Sequence, residues 1–484
     1  MKYVIGLDLG TTCVKALLFD ENGNILAQAS RDDALIIPQK GWAEQDANAW
    51  LHLASQAVRE TVERANIVPS DVAALSISSQ GITIVPVDEA FRPLANAINW
   101  LDTRTQEQVL QIERFGADRL YAITGKNISA GGYTLSKLLW LKEHRPRIYE
   151  RAAYFLLPHD FVVAHLCGAA VTDHSMASAT MLYDVPSQCW SEEILQTFSI
   201  DPSRLPRLAW AAAPAGMVRE QIAAQWGLSP SAAVIVGGQD QKVAAYGAKL
   251  SERISSISMG TCEAYEFLFS TPPSHPGKVL PAFSYLEKGK WTLEGCTNTA
   301  GAAIKWARDQ LFHGLSYDDM NALAAQAAPG ARGVMFHPYL SGSGTPHYCE
   351  GNGAFSGLTL DVTRHDLVRA IFEGIAYEAR MNLEAAAQAG VHTEALALFG
   401  GGSQSAPLCQ AIADITGRSI TSFACPEMGA MGAAKLAAKA LGLVNFEQGS
   451  SRDSLIWTPD STRHKAYNDL YSLYLQRQKG IATL

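Results

Sequence analysis

The sequence predicts an α/β protein made of two similar domains that face each other across a cleft. Two hairpins carry this prediction. Each half of the chain contains an apolar strand, a Gly-Thr turn and a second apolar strand, first within residues 4–19 and again within 254–268. Between the hairpins, apolar runs of strand length alternate with helical patterns, as they do in α/β domains. The 484 residues, 48% of them hydrophobic, suffice for two domains with large cores.

Composition narrows the class of function. The formal net charge is −8 and the basic residues are dispersed, so the sequence lacks the basic stripe of a nucleic-acid-binding protein and shows no membrane-surface pattern. The eight cysteines form no C-x-x-C pair and no zinc spacing, which favours free thiols in a reducing cytosol. Asp8 interrupts the first apolar run before it reaches signal-peptide length, and no stretch reads as transmembrane. We expect a cytoplasmic enzyme with neither nucleic acid nor membrane as a partner.

The first hairpin joins strands predicted at 4–7 and 14–19 through the turn Asp8-Leu9-Gly10-Thr11-Thr12. Such a turn offers backbone N–H groups and threonine hydroxyls to a phosphate, and Asp8 would hold a hydrated cation beside it. Any hairpin can carry Gly-Thr, so this turn is a modest signal by itself. No G-x-x-x-x-G-K-[ST] loop occurs in the chain, and phosphate binding would therefore fall to the paired hairpins.

Two further stretches of the first half place polar groups beside apolar strands. One strand ends at Gln80-Gly81, which leaves the glutamine at a strand end. Farther on, Trp100, Asp102 and Arg104 bring an aromatic ring, a carboxylate and a guanidinium close together. The ring could stack on a sugar face while the charged groups bind hydroxyls. A buried tryptophan beside a structural ion pair explains the same residues equally well.

The middle of the chain contains the candidate catalytic base. The apolar run 234–236 leads into a double glycine and then into Gln239-Asp240-Gln241. This pattern predicts a buried strand that ends in a turn, with the Asp240 carboxylate facing a cleft, where general bases are common. The alternative is that Asp240 caps the helix that follows. This stretch alone does not separate the two interpretations.

The second half contains a candidate nucleotide site. A helix predicted at 299–311 is expected to bury Trp306, and a strand at 395–399 leads into Gly400-Gly401-Gly402-Ser403. A strand, a glycine turn and a helix N-terminus together form an anion or nucleotide site. The match to a dinucleotide fingerprint is poor, because Ser405 takes the place of its last glycine or alanine, and this disfavours a dehydrogenase.

Together these motifs resemble those of the FGGY carbohydrate kinases. The matching pieces, in chain order, include D-L-G-T-T at 8–12, W-L-D-T-R at 100–104, G-G-Q-D-Q at 237–241, M-G-T-C-E at 259–263, W-A-R-D at 306–309 and G-G-G-S at 400–403. The resemblance covers nearly the whole chain, and the order of the pieces is far more specific than any one of them. It implies duplicated ribonuclease H-like domains of the actin-like ATPase fold, with an N-terminal domain over 1–246 and a C-terminal domain over 247–484.

The resemblance also implies an activity, the ATP-dependent and Mg²⁺-dependent phosphorylation of a sugar hydroxyl. In the family, the residue matching Asp240 takes the hydroxyl proton and the residue matching Asp8 helps to hold magnesium, with Asp240 as a second expected metal ligand. The implied sugar-binding residues are Gln80, Gly81, Trp100, Asp102, Arg104, Asp240 and Gln241. The implied nucleotide-binding residues are Gly10, Thr11, Thr12, Lys15, Gly260, Thr261, Gly301, Lys305, Gly401, Gly402 and Ser403.

Departures from the family patterns bear on the substrate. Gly81-Ile82 stands where glycerol kinases have Arg-Glu and xylulokinases have Met-His, and Gly132 falls where glycerol kinases have a tyrosine. The motifs look closest to those of L-fuculokinase and xylulokinase-like members, so L-fuculose, D-xylulose or a related ketose is the expected substrate. A polyol or another sugar is the alternative. A nucleotide-gated binding protein of the actin-like fold is an alternative of a different class, and the oligomeric state is open, with a homodimer as one option.

Overall fold

The computed structural model describes residues 2–126, 132–273, 279–348, 351–423, 425, 427–446 and 454–481. Its strands are β1 (Tyr3–Leu9), β2 (Cys13–Phe19), β3 (Ile25–Asp32), β4 (Glu44–Gln45), β5 (Val72–Ser79), β6 (Val85–Val87), β7 (Ala97–Ile98), β8 (Tyr154–Leu156), β9 (Val171–Asp173), β10 (Tyr183–Asp184), β11 (Cys189–Trp190), β12 (Arg207–Ala209), β13 (Pro214–Met217), β14 (Ala233–Gln239), β15 (Ile254–Met259), β16 (Glu263–Phe269), β17 (Ala282–Ser284), β18 (Trp291–Thr297), β19 (Met335–His337), β20 (Ala354–Ser356), β21 (Ala395–Phe399), β22 (Ser419–Phe423) and β23 (Ser454–Trp457). Its α-helices are α1 (Ala47–Arg64), α2 (Gln106–Glu113), α3 (Ala117–Thr124), α4 (Thr134–His144), α5 (Pro146–Arg151), α6 (Pro158–Cys167), α7 (His174–Ser178), α8 (Glu192–Thr197), α9 (Glu220–Trp226), α10 (Asp240–Gly247), α11 (Gly301–Gln310), α12 (Tyr317–Gln326), α13 (Arg364–Gln388), α14 (Ala406–Thr416), α15 (Met428–Ala440) and α16 (Ser461–Ile481).

Two large sheets follow the same strand plan. The first has the order β13-β14-β5-β1-β2-β3, and the second has the order β17-β18-β16-β15-β21-β22-β23. In each, an antiparallel hairpin (β1 with β2, β15 with β16) continues on one side into two parallel strands (β5 and β14, β21 and β22) and on the other into a further antiparallel strand. The matched order confirms the predicted α/β architecture of two duplicated halves.

The first hairpin is longer than predicted, and its turn is shorter. Asp8 and Leu9 belong to β1 and pair with Lys15 and Val14 of β2. The Leu9 side chain is buried, so extending the strand removes an apolar group from water. The same extension pairs Asp8 with Ser78 of β5, and the carboxylate thereby lies at the end of a central strand.

The double glycine lies inside β14 rather than in the predicted turn. A Cβ atom on Gly237 would lie 1.8 Å from the carbonyl oxygen of Ile77, and the register between β14 and β5 shifts between Ile235 and Gly238. The glycines therefore permit a bulge and a close approach of two strands. Because β14 continues to Gln239, the next residue begins helix α10.

Helices α10 and α15 pack closely at the junction of the two halves. A Cβ on Gly432 of α15 would lie 1.9 Å from the carbonyl oxygen of Val243 in α10. A Cβ on Gly6 of β1 would lie 1.8 Å from the carbonyl oxygen of Ala430 in α15. Any larger residue at these glycines would force the backbones apart. The contacts hold the end of β1 and the start of α10 against one helix of the second half.

Two expectations from composition can be compared with the described residues. No helix in these ranges combines the length and the apolar character needed to cross a membrane. Cysteines 13, 167, 189, 262, 296, 409 and 425 are free thiols, as predicted, and Cys349 lies outside the described residues.

Candidate active site

Asp8 lies at the end of β1, against the first turn of α15. Its Oδ1 accepts a hydrogen bond from Ser78 Oγ at 2.7 Å. A Cβ on Gly429, the second residue of α15, would lie 2.8 Å from the same oxygen. The backbone N–H groups of a helix N-terminus favour negative charge nearby. The position therefore suits a carboxylate, and Asp8 is half-buried there.

Asp240 is the first residue of α10, but it does not cap the helix. The N-cap is Gln239, whose side-chain oxygen accepts from the Lys242 N–H. The capping interpretation of Asp240 is therefore wrong. Asp240 Oδ1 instead accepts from Gln239 Nε2 at 2.6 Å and from the Gln241 N–H at 2.8 Å.

The Asp8 carboxylate lies close enough to Asp240 to affect its ionisation. Burial and, after it, the nearby Asp8 charge raise the pKa of Asp240 to about 7. Burial also raises the pKa of Asp8, against the opposing effects of the Ser78 hydrogen bond and the Lys15 charge. Neighbouring carboxylates in a desolvated site repel each other unless one is protonated or a cation lies close by. The pair fits a divalent cation such as Mg²⁺, which carboxylate oxygens bind readily.

Asp8 and Asp240 would offer a bound cation two carboxylate ligands. Within the described ranges, no group of three or more His, Cys, Asp or Glu residues is placed to hold a metal ion. A cation bound at Asp8 and Asp240 would therefore keep most of its water or bind phosphate oxygens, as Mg²⁺ commonly does.

The T-D-H-S-M-A-S stretch at 172–178, which also resembles the family pattern, and His159 support the end of β14, a contact that the sequence did not predict. The Gln239 N–H donates to Ser175 Oγ at 3.0 Å, and this hydroxyl donates to Asp173 Oδ1 at 2.9 Å. The Gly237 N–H donates to Nε2 of the buried His159 at 3.1 Å. These bonds act on Asp240 only through the backbone, and they come from helices α7 and α6, 64 and 78 residues away in the chain, so local sequence patterns do not predict them.

Gln80, Trp100 and Thr11 come together beside the first hairpin. The buried Gln80 amide accepts from Asn99 Nδ2 at 3.0 Å and donates to Gln45 Oε1 at 2.9 Å. The Trp100 indole N–H donates to Thr11 Oγ1 at 2.8 Å. Trp100 is 44% exposed, so its ring is available to a ligand rather than buried.

Asp102 and Arg104 form the structural ion pair that the sequence left open as an alternative. The Arg104 guanidinium lies 2.7 Å from Asp102 Oδ2 and 2.8 Å from Glu44 Oε1, and it stacks 3.6 Å above the Trp42 ring. Both side chains of the pair are almost wholly buried. Their polar groups are engaged within the protein, and their predicted role in sugar binding stays a prediction.

Both Gly-Thr turns are closed by a hydrogen bond from the glycine N–H, but the first turn is one residue longer. The Gly10 N–H donates to the Cys13 carbonyl and the Gly260 N–H to the Cys262 carbonyl, both at 3.0 Å. The last strand pairs are Leu9 with Val14 and Met259 with Glu263, so the two tips contain threonine in loops of different length.

Lys15, the predicted basic residue of the first hairpin, has a partner from the second half. Its Nζ lies 2.5 Å from Glu427 Oε2, immediately before α15. This ion pair spans 412 residues of sequence, and local patterns cannot predict it.

A cavity of about 730 Å³ lies in the second half, bounded by the second hairpin, α11, α12 and the glycine turn after β21. Six predicted nucleotide-binding residues line it, namely Gly260, Thr261, Gly301, Lys305, Gly401 and Gly402. A Cβ on Gly260 or Gly401 would meet nothing within 4 Å, so the absence of side chains there keeps the cavity open to a ligand. Ser403 lies behind the lining, where its hydroxyl donates to the Gly400 carbonyl at 2.7 Å.

Trp306 lines this cavity and is 36% exposed, so the prediction that it is buried was wrong. The core-facing side of α11 carries Ala303, Ile304 and Ala307 instead. Sequence reasoning also missed Tyr317 and Asn321, which α12 contributes to the same cavity. A capping box begins α12 and could have located the helix, although it could not have shown which face meets a ligand.

Comparison with known proteins agrees with this geometry. Residues 3–247 match the FGGY family of carbohydrate kinases, N-terminal domain, and residues 255–441 match the C-terminal domain of that family. A xylulose kinase from Lactococcus lactis subsp. lactis is 30% identical over 100% of this chain and 98% of its own length, and a xylulose kinase from Bacillus subtilis is 32% identical over 98% and 96%. The crystal structure of a ligand-bound xylulose kinase from Lactobacillus acidophilus superposes with a TM-score of 0.91 at 26% identity, covering 100% of this chain and 99% of that one. The chain therefore belongs to the FGGY family of carbohydrate kinases.

Proposed function

We propose that this kinase transfers the terminal phosphoryl group of ATP to a hydroxyl of a ketose, with D-xylulose, L-fuculose or a related ketose as the acceptor. The observation that supports this most is the Asp240 carboxylate, at the start of α10 beside Asp8 and at the junction of two matched sheets. Residues 1–246 would form the sugar-binding domain and residues 247–484 the nucleotide-binding domain.

Asp240 would act as the general base. Phosphoryl transfer needs little covalent chemistry from the protein, and it needs a group that orients and deprotonates the attacking hydroxyl. A general base works best when its pKa lies near the operating pH, and burial raises the pKa of Asp240 to about 7. The hydrogen bonds from Gln239 and Gln241 both reach Oδ1, which would leave Oδ2 for the sugar hydroxyl.

The sugar would lie between Asp240 and the wall that contains Gln80. The exposed Trp100 ring offers an apolar face to the carbon side of a sugar, while polar groups nearby meet its hydroxyls. The proposed sugar-binding residues are Gln80, Gly81, Trp100, Asp102, Arg104, Asp240 and Gln241. Asp102 and Arg104 would act by fixing the segment that carries Trp100, because their own polar groups bind each other.

ATP would bind with its phosphates between the two Gly-Thr turns and its nucleoside in the 730 Å³ cavity. The residues that would hold the phosphates are Gly10, Thr11, Thr12, Lys15, Gly260 and Thr261. The residues on the nucleoside side would be Gly301, Lys305, Gly401, Gly402 and Ser403. Asp8 and Asp240 would hold Mg²⁺, which supplies positive charge to the phosphate oxygens when bound.

A coupled assay of ADP release over a panel of ketoses, aldoses and polyols tests the proposal. We expect ADP release to depend on one ketose, and phosphorus NMR of the product then locates the phosphate. Preference for a polyol would replace the proposed substrate class. ADP release at the same rate with and without every sugar would instead identify a nucleotide-gated binding protein.

A further inference from the structure

A strained turn lies beside the proposed sugar site, at Gly81, Ile82 and Thr83. The Thr83 N–H donates to the Gly81 carbonyl oxygen at 2.7 Å, and Ile82 between them has a φ of 67°. A three-residue turn with a positive φ at its centre is the rare and strained form of the γ-turn. Isoleucine is β-branched, so its side chain makes this backbone conformation still less favourable. Such a conformation persists only where the surroundings hold it.

Two side chains of helix α4 hold the turn through one atom. The Ile82 carbonyl oxygen accepts from Thr134 Oγ1 at 2.8 Å and from Lys137 Nζ at 3.5 Å. Both donors are buried, with Thr134 2% exposed and Lys137 0% exposed. Among the residues that the structure describes, Lys137 forms no ion pair, and this long hydrogen bond is the one it makes. Burial lowers the pKa of the Lys137 amine to about 7, against the nearby Asp102 charge, so the amine donates to the turn without needing a full ion pair.

The turn touches the proposed sugar site on both sides. A Cβ on Gly81 would lie 3.2 Å from Gln239 Cγ, and the Gln239 amide donates to Asp240 at 2.6 Å. On the other side, Thr83 Oγ1 accepts from the Trp100 N–H at 3.1 Å. A shift of the turn would therefore move two groups together, Gly81 beside Gln239 and the segment that carries the Trp100 ring.

We propose that Thr134 and Lys137 are positioning residues that hold the strained turn at Ile82 and thereby determine which sugar the site accepts. This inference rests on the proposed function. Gly81 is buried against Gln239, and the half-buried Ile82 side chain packs against the hydrophobic cluster that includes α4, so the turn would act on the sugar through the position of its backbone and of Gln239. A small shift of the turn would change the fit of one sugar relative to another.

Replacing Thr134 with valine tests the inference, because valine keeps the shape and removes the hydroxyl. We expect the KM for the preferred sugar to rise about tenfold, as for one lost buried hydrogen bond, and the preference over the next sugar to fall. The KM for ATP should change less than about twofold, because no residue of α4 lines the nucleotide cavity, and kcat should change less than the sugar KM, because the turn reaches Asp240 only through Gln239. Thr134→Ser, which retains the hydroxyl, should restore the sugar KM, and Lys137→Met should give a smaller rise than Thr134→Val.

A second measurement is the Tm, which does not depend on activity. Ile82→Ala and Ile82→Gly lose nearly the same apolar contacts with the cluster around α4, and glycine alone avoids a Cβ at a left-handed position. We therefore expect the glycine variant to have the higher Tm of the two. Asn66→Gly and Asn66→Ala are the matched controls, because Asn66 has a φ of 51° and is exposed, and they should differ in Tm in the same direction without changing the sugar KM. A lower Tm for Ile82→Gly than for Ile82→Ala would overturn the strained turn.

Three outcomes separate this inference from the function on which it rests. A wild-type chain that phosphorylates no sugar would overturn the proposed function and this inference with it. An active wild type whose sugar KM does not respond to Thr134→Val would overturn this inference alone. Equal increases of the KM values for sugar and ATP would show a general loss of structure and would also overturn it.

Discussion

In the first sheet, the end of β1 and the turn after it read Asp8-Leu9-Gly10-Thr11, whereas the end of β15 and its turn in the second sheet read Ser258-Met259-Gly260-Thr261. Both close with a hydrogen bond from the glycine N–H, at 3.0 Å. The strand orders match around them, yet a carboxylate lies at one strand end and a hydroxyl at the other. The first sheet thus contributes acids to the cleft, and the second borders a glycine-lined cavity. The two sheets share one strand order, so the difference in their chemistry comes from the residues at the strand ends.

A buried acid is also present in the second hairpin, with different partners. Glu263 accepts from the Tyr265 hydroxyl at 2.5 Å and from the Thr297 hydroxyl at 3.3 Å. Burial raises its pKa to about 8, so the acid is largely protonated at neutral pH. Burial raises the pKa of Asp8 as well, but the Ser78 hydroxyl, the Lys15 charge and the N-terminus of α15 all favour its charged form. The comparison indicates that the partner groups decide whether a buried acid serves the fold or the site.

Asp240→Asn should have the largest effect, since it removes the proposed base from the first half and leaves the second half intact. We expect kcat to fall about 10²- to 10⁴-fold while ADP affinity, measured by calorimetry, changes little. Asp32→Asn on the exposed edge strand β3 is the control and should retain full activity. Near-normal turnover of Asp240→Asn would refute its assignment as the base.

Asp8→Ser gives the end of β1 the residue that stands at the matching position of β15, and it tests whether the carboxylate there matters. We expect kcat to fall about a hundredfold and the half-saturating Mg²⁺ concentration to rise, because one proposed metal ligand is lost. Mg²⁺ titrations of the initial rate measure both. Ser258→Ala, at the equivalent position of the second turn, should behave like the wild type. An unchanged Mg²⁺ requirement in Asp8→Ser would contradict the proposed metal site.

Gly401→Val places a side chain in the open cavity of the second half. The KM for ATP should rise about tenfold or more because the valine occupies ligand space, whereas the sugar KM should not change. Gly480→Ala also enters open space, but on α16 away from the cavity, and should leave both constants unchanged. If Gly401→Val raised the KM for the sugar and left the KM for ATP unchanged, the assignment of the sugar to the first half and of ATP to the second would be wrong.

Glu263→Gln should have the smallest effect, on stability rather than on activity. The pKa of Glu263 is raised from 4.5 in the unfolded chain to about 8 in the folded protein. The group therefore costs no stability below pH 4.5, and stability is lost progressively as the pH rises toward 8. Between pH 5 and pH 8.5, the Tm of the variant should fall by roughly 2–4 °C less than the Tm of the wild type. Glu63→Gln, exposed on α1, should show the wild-type dependence, and parallel curves for both variants would exclude a neutral Glu263.

Local patterns sufficed for much of the fold and for part of the site. Apolar runs around Gly-Thr turns predicted both hairpins, because strand alternation and turn chemistry are properties of neighbouring residues. The glycines of the cavity were also predictable, since an open backbone next to a ligand requires them. The double glycine in β14 misled the prediction, because Gly237 meets a different strand rather than a turn of its own.

By itself the sequence determined the duplicated α/β plan and the acids and glycines at the strand ends, since these depend on short-range periodicity. Tertiary structure alone decided that Lys15 pairs with Glu427, that Trp306 faces a cavity and that Arg104 is buried against Trp42. It also decided the conformation of Ile82, whose carbonyl is held by side chains more than 50 residues away. The physical reason is the same in each case. Each depends on segments far apart in the chain, and only tertiary packing, within one half or between the two, brings them within reach.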